Sequence, residues 1–172
     1  MRTAGMHTQT PSNRGFTLIE MMVTIAVAAM LLMIAVPSFR NASLSSQLRS
    51  AANDFIASSN FARSEAIKRG SAVTLCVSTD GSTCAAGGWE QGWIVLSGTT
   101  VLQHESAAPN GFKLSAAGSV ATLSFQPIGV GATPATLTVC RATPTVGAEE
   151  RVVTIDATGR AWVQITRNGA CS

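Results

Sequence analysis

Hydrophobic and polar positions divide the chain into stretches of different period. Residues 1–15 are polar and carry Arg2 and Arg14. From residue 21 to residue 39 no charged side chain occurs, and Met, Val, Ile, Leu and Ala dominate. A helix of about 20 apolar residues crosses a hydrocarbon core, so this run predicts a membrane-crossing helix. Pro37 lies near its end. A proline there removes a helix hydrogen bond, which predicts a bend or the end of the helix. Beyond it Leu44, Leu48, Ala51, Phe55, Ser58, Ala62 and Ala66 recur at spacings of three and four. That is one face of an amphipathic helix. Arg40, Arg49, Asp54, Arg63 and Glu65 fall mostly off it. Gly70 after Lys68 and Arg69 predicts the stop.

Past Gly70 the pattern changes to short β-rich runs separated by turn residues. Strands are predicted at 72–77, 92–96, 100–103, 112–115, 121–125, 135–141, 151–155 and 160–166. Ser97-Gly98-Thr99 and Asp156-Ala157-Thr158-Gly159 supply hairpin turns, and 129–134 and 143–150 read as loops. The expected class is α+β, a long N-terminal helix packed on a C-terminal antiparallel β-sheet domain. Its expected segments are a leader at 1–15, an apolar helix at 16–38, an amphipathic helix at 39–70 and a β-rich domain at 71–172.

Composition narrows the options. A length of 172 residues fits one domain plus an appendage. The net charge is +3, but loss of Arg2 and Arg14 would leave 10 basic against 9 acidic side chains. No strong field for nucleic acid follows. The four cysteines, Cys76, Cys84, Cys140 and Cys171, all follow the apolar run and form no CxxC pair. Neither histidine, His7 or His104, is close to one, which argues against zinc and for disulfides in an oxidising compartment. A Cys76–Cys84 bridge would close a short loop around Asp80-Gly81-Ser82, and Cys140–Cys171 would tie back the C-terminus. Four cysteines allow three connectivities. No metal, cofactor or catalytic constellation is expected. His104 reads as a surface residue, and no Lys follows the glycines near 129 as a phosphate loop requires. Trp89 and Trp93 read as core packing in a hairpin.

Glu20 stands out. A carboxylate inside an apolar helix costs about 2.5–3.5 kcal/mol on insertion scales, so an anchor with no other task has little reason to carry one. A cleaved secretory signal would have a shorter apolar region. Arg14-Gly15-Phe16-Thr17-Leu18-Ile19-Glu20 resembles the signal of type IV pilins and type II secretion pseudopilins. The resemblance implies cleavage after Gly15 by a prepilin peptidase and N-methylation of Phe16. It also implies that Glu20 pairs with the terminal amine of a neighbouring subunit, and that Pro37 marks a bend or local melting. The basic leader favours a cytoplasmic N-terminus, with the rest exported through the inner membrane.

The later motifs are similar to the GspH/FimT group of minor pilins and pseudopilins. They are Gly88-Trp89-Glu90-Gln91-Gly92-Trp93, Phe125-Gln126-Pro127-Ile128-Gly129, Thr138-Val139-Cys140-Arg141 and Asp156-Ala157-Thr158-Gly159-Arg160. That group implies a low-abundance subunit priming or capping a filament, with other pilins as partners. Some FimT-like members bind DNA through Gly-Arg-x-Arg. Here Gly159-Arg160 matches, position 162 is Trp, and Arg167 is the next basic residue. Arg160, Trp162 and Arg167 are therefore the candidate DNA contacts. The small basic excess favours a solvated Arg160 and a Trp162 packed in the terminal hairpin.

Overall fold

A computed structural model of the chain describes residues 15–143, 147, 149–169 and 171. The leader residues 1–14, with Arg2, His7 and Arg14, and part of the loop expected at 143–150 lie outside them. The chain divides into two compact units, Met1–Ala42 and Ser43–Ser172.

One helix, α1 (Leu18–Arg69), contributes to both. In the first unit its side chains are exposed throughout. Pro37 sits inside the helix and does not end it; its fixed backbone angle suits a helix even though the hydrogen bond is lost. In the second unit Leu48, Ala52, Phe55, Ser59, Ala62 and Ala66 are buried at alternating spacings of four and three. Ala52 takes the place expected for Ala51, which is half-buried. Most of these side chains are small, so backbone and sheet approach closely around two large residues, Leu48 and Phe55. The helix stops in a Schellman arrangement. Gly70, at φ 61°, donates to the Ile67 carbonyl at 3.4 Å, and Ser71 donates to Ala66 at 3.3 Å.

Among the described residues eight strands follow: β1 (Val73–Val77), β2 (Trp93–Ser97), β3 (Thr100–Glu105), β4 (Phe112–Ala116), β5 (Thr122–Phe125), β6 (Ala135–Arg141), β7 (Glu150–Ile155) and β8 (Ala161–Thr166). They form two four-stranded antiparallel sheets, in the orders β3-β2-β1-β5 and β4-β6-β7-β8. The division arises because β5 returns to β1, pairing Val73 with Phe125, while β4 pairs with β6. Alternate residues of both sheets (Val73, Leu75 and Val77; Leu123 and Phe125; Leu137 and Val139; Val153 and Ile155) enter one core with α1.

The Gly88–Trp93 motif explains itself here. A 3-10 turn, Trp89–Gln91, swings two indoles onto Phe55. The Trp89 and Trp93 rings meet Phe55 edge-on, at centroid distances of 5.0 and 5.5 Å. Each indole N–H is satisfied, Trp89 donating to the Val120 carbonyl at 2.8 Å and Trp93 to the Ser58 hydroxyl at 3.0 Å. Gly92 between them adopts φ 102°, and a Cβ there would lie 2.6 Å from the Glu105 carbonyl oxygen. Only glycine meets both conditions.

Two disulfides, Cys76–Cys84 and Cys140–Cys171, close loops with sequence separations of 8 and 31. Within the first loop the Asp80 carboxylate accepts from the amides of Thr83 and Ser82, both at 2.8 Å, and from the hydroxyls of Thr83 and Ser78. Those bonds, led by the Thr83 amide, hold its pKa well below the usual carboxylate range. A depressed folded-state pKa contributes stability above the unfolded value and loses it as pH falls. Glu65, Glu149 and Asp156 are shifted the same way. The thermal midpoint is therefore expected to hold from pH 7 to 5 and to fall below about pH 4. Asp80→Asn should weaken that acid dependence; a wild-type profile rising on acidification would contradict this assignment.

Candidate functional site

The start of α1 is built by two residues that bond each other. Thr17 precedes the helix, and its hydroxyl accepts the amide N–H of Glu20 at 3.2 Å. In return the Glu20 carboxylate accepts the amide N–H of Thr17 at 3.5 Å. This is a capping box, in which two amides without helical partners are satisfied reciprocally. The helix dipole also favours a carboxylate there. Phe16, just before it, is 75% exposed, and the apolar side chains that follow are uncovered. The helix is long and apolar enough to cross a membrane. Gly15 meets no heavy atom where a side chain would begin. Gly15, Phe16 and Glu20 thus lie together at an accessible terminus.

Arg160, Trp162 and Arg167 do not form one patch. Arg160 follows a tight turn in which the Asp156 carboxylate accepts from the Thr158 and Arg160 amides, at 2.8 and 3.0 Å. Its side chain is exposed. Trp162 is half-buried on the edge strand β8, opposite Thr154. Arg167 lies past the far end of that strand, about 23 Å from Arg160 along an extended backbone. It pairs with Glu149 at 3.2 Å.

That pair belongs to a cluster absent from the sequence reading. Arg151 is buried. Its guanidinium donates to the Ser45 hydroxyl at 3.0 Å, to Glu149 at 3.3 Å and to the Glu150 carbonyl at 3.3 Å. Ser45 in turn donates to Glu149 at 3.0 Å. The Ser45 hydroxyl first, then Arg167 and Arg151, hold the Glu149 carboxyl below its ordinary pKa. A buried guanidinium is stable only with such partners. The cluster therefore ties α1 to the start of β7. Its one sequence signal was Glu149-Glu150-Arg151, three charged residues in a row at a strand start.

A cleft of about 230 Å³ opens beside Trp93, and its charged lining residues, Asp54 and Glu105, are both acidic. It repels a phosphate backbone.

Comparison with known proteins gives the same frame. The profile of the prokaryotic N-terminal methylation motif matches residues 10–36. That of type II transport protein GspH matches residues 51–159, more than half of the chain. The chain belongs to the GspH family. No curated protein sequence matches it. Among solved structures it is similar to the type IV minor pilin FimU of Pseudomonas aeruginosa. The identity is 22% and the TM-score 0.56, over 70% of this chain and 90% of that one. It is also similar to the minor pseudopilin EpsH from the type 2 secretion system of Vibrio cholerae. There the identity is 17% and the TM-score 0.50, over 69% of this chain and 96% of that one. At these identities the likeness is one of fold, the α+β pilin fold. Within this GspH-family chain, the matched segment 51–159 contains the Trp–Phe clamp and both sheets up to β7. The motif match contains Gly15, Phe16 and Glu20.

Proposed function

We propose that this chain is a minor pilin or pseudopilin, a structural subunit that primes or caps a type IV pilus or a type II secretion pseudopilus. In this reading prepilin peptidase removes residues 1–15, Phe16 becomes the N-methylated terminus, and α1 enters the filament beside other pilin-type helices. Before assembly that helix anchors the chain in the inner membrane, with the N-terminus cytoplasmic and the second unit periplasmic. The supporting observation is the exposed apolar length of α1 with Glu20 in its first turn. Uncovered apolar surface on this scale is stable only in lipid or against other helices. Glu20 needs a cation wherever water is excluded, and a neighbour's new terminal amine is the cation that cleavage creates.

A Gly15→Asp variant is expected to stay uncut in the membrane fraction and to be missing from sheared filaments. Its recovery in filaments, uncut, would overturn the processing step.

Nothing in the geometry favours the DNA-binding reading through Arg160, Trp162 and Arg167. The two arginines are separated by the length of β8, and Arg167 is engaged by a carboxylate. Non-specific DNA binding grows with each phosphate neutralised, so two separated cations give little. The full chain in detergent is expected to retain single- or double-stranded DNA no better than its Arg160→Ala/Arg167→Ala form at low salt. Salt-sensitive retention abolished by that double change would reinstate DNA contact.

A further inference from the structure

The two sheets have four edges, β3 and β5 in one, β4 and β8 in the other. An open edge offers unpaired N–H and C=O groups to any extended chain, and proteins blunt it with bulges, charges or covering segments. Three of these edges are blunted. β3 is bulged: Val101 and Gln103 pair with the neighbours Leu96 and Val95, Leu102 is left over, and the strand ends in Glu105. β5 is covered by the chain that leaves it. The Ser124 amide donates to the Thr133 hydroxyl at 3.1 Å, and its carbonyl accepts the Thr133 amide at 3.0 Å. On β4 the Leu114 amide donates to the Glu90 carboxylate at 3.3 Å, and Lys113 adds a charge.

β8 has none of these devices. It pairs with β7 over six residues without a register shift and contains no charge or proline. Among the described residues no segment other than β7 bonds its backbone. Arg160 and Arg167 flank it, and the second is met by Glu149 at 3.2 Å. The preceding turn shows which groups are free. The Asp156 amide donates to the Arg160 carbonyl at 3.1 Å, so 156 and 160 are a hydrogen-bonded pair. Such pairs alternate along an antiparallel ladder. Trp162, Gln164 and Thr166 therefore bond β7, while Ala161, Val163 and Ile165 turn their amides and carbonyls outward. Val163 and Ile165 also lie opposite Val153 and Arg151, which are buried. They share the core face of the sheet, yet are 38% and 63% exposed. The cover over that face ends at β7, and an added strand would continue ladder and core together.

A second copy of this chain does not supply that strand. Ser45 of α1 bonds Arg151 and Glu149 near the Thr166 end of β8, and Arg63 lies against Gly159 near the Ala161 end. In this unit α1 therefore runs against the direction of β8. An antiparallel β8–β8 pair would point the two α1 helices in opposite directions, unlike subunits that share one membrane. A parallel pair would put them on opposite faces and set Val163 and Ile165 beside Gln164 and Thr166 of the other copy. The opposite edge of the same sheet, β4, is already occupied by Glu90.

We propose that the open edge of β8 receives an extended edge strand of a different pilin-type subunit. Its main chain bonds Ala161, Val163 and Ile165, and its apolar side chains cover Val163 and Ile165. The class of partner rests on the filament reading. Because β4 is closed, addition stops after one partner, as suits a subunit at the start or end of an array and not one repeated along it.

The test places photo-activatable benzoylphenylalanine at position 164 of the full-length chain in its native membranes. Irradiation is expected to join it to another protein that carries its own N-terminal methylation motif, through a peptide from one of that protein's β-strands. The N-terminal peptide of the same sample reports processing, so a failed cut and a failed contact are read separately. Adding Val163→Pro removes one outward amide and spares the β7 ladder; it should reduce the adduct about tenfold or more. Val163→Thr keeps that amide and should keep the adduct. Amide exchange needs no variant: at Val163 and Ile165 it should be fast in detergent and slowed about tenfold or more in filaments. No adduct, an adduct only to a second copy or to a protein without the motif, an adduct indifferent to Val163→Pro, or equal exchange in both states would each overturn the proposal.

Discussion

Glu20→Ala and Glu20→Gln are expected to be cut and methylated normally and yet to be lost from filaments. The two substitutions separate two tasks of one carboxylate. In the capping box the Glu20 carboxylate accepts the Thr17 amide while the Thr17 hydroxyl accepts the Glu20 amide. Glutamine keeps an acceptor at that position, so Glu20→Gln preserves the cap. Alanine removes it, at a cost of about 0.5–2 kcal/mol to the start of the helix. Neither supplies the negative charge. If pairing with a terminal amine drives entry into the filament, both variants fail alike. If capping is what matters, Glu20→Gln assembles and Glu20→Ala does not. The charge should dominate, because a cation and carboxylate brought out of water together are mutually required, and removal of one partner costs about 3–5 kcal/mol. That corresponds to a loss of incorporation of about 100-fold or more. The readout is the ratio of processed chain in sheared filaments to processed chain in membranes. Wild-type incorporation of Glu20→Gln would contradict the charge-pairing account.

Phe55→Ala should be the most damaging single change in the second unit. The ring is the one large buried aromatic that α1 contributes, and two indoles close on it at nearly right angles, 83° and 80°. Truncation of a buried Phe costs about 3–5 kcal/mol through lost transfer energy and the cavity left behind. Relaxation into that cavity is restricted, because the Trp89 and Trp93 indole N–H groups are held by Val120 and Ser58. Scaled to a domain of this size, the thermal midpoint should drop by about 10–20 °C, with Phe55→Leu affected less. Near-UV circular dichroism of the detergent-solubilised chain reports the loss directly, since two of the three indoles lie in this clamp. A drop of only a few degrees would show that the clamp does not hold α1 on the sheets.

The elements were legible in the sequence because each obeys a local rule. The helix stop was written in Lys68, Arg69 and Gly70, and the structure completes it with the paired bonds from Gly70 and Ser71. All eight strands lie where β-rich runs between turn residues placed them, and β6 does so to the residue. What could not be read was long-range. The return of β5 to β1, which splits the strands into two sheets, depends on pairing across the intervening β2–β4 segment. The bonds from Ser45 to Glu149 and from Arg151 to Ser45 join residues 104 and 106 positions apart. No periodicity encodes such a contact. The phase of α1 was also slightly off at one turn, Ala52 rather than Ala51 facing the core, because two neighbouring alanines carry no pattern that distinguishes them. At Pro37 the local rule offered a bend or a helix end, and the helix does not end there because one missing hydrogen bond is outweighed by the bonds around it. The N-terminal motif was readable for a different reason. Its residues follow one another within six positions, so sequence order alone brings Gly15, Phe16 and Glu20 together.

The central claim is that residues 1–15 are removed and the rest enters a filament through α1. Intact-mass and N-terminal peptide analysis of this chain, recovered from sheared filaments, tests it most directly. The account requires a chain that begins at Phe16, carries one added methyl group on its terminal nitrogen and retains both disulfides. A filament-bound chain that still begins at Met1, or one cut inside the apolar helix, would contradict it.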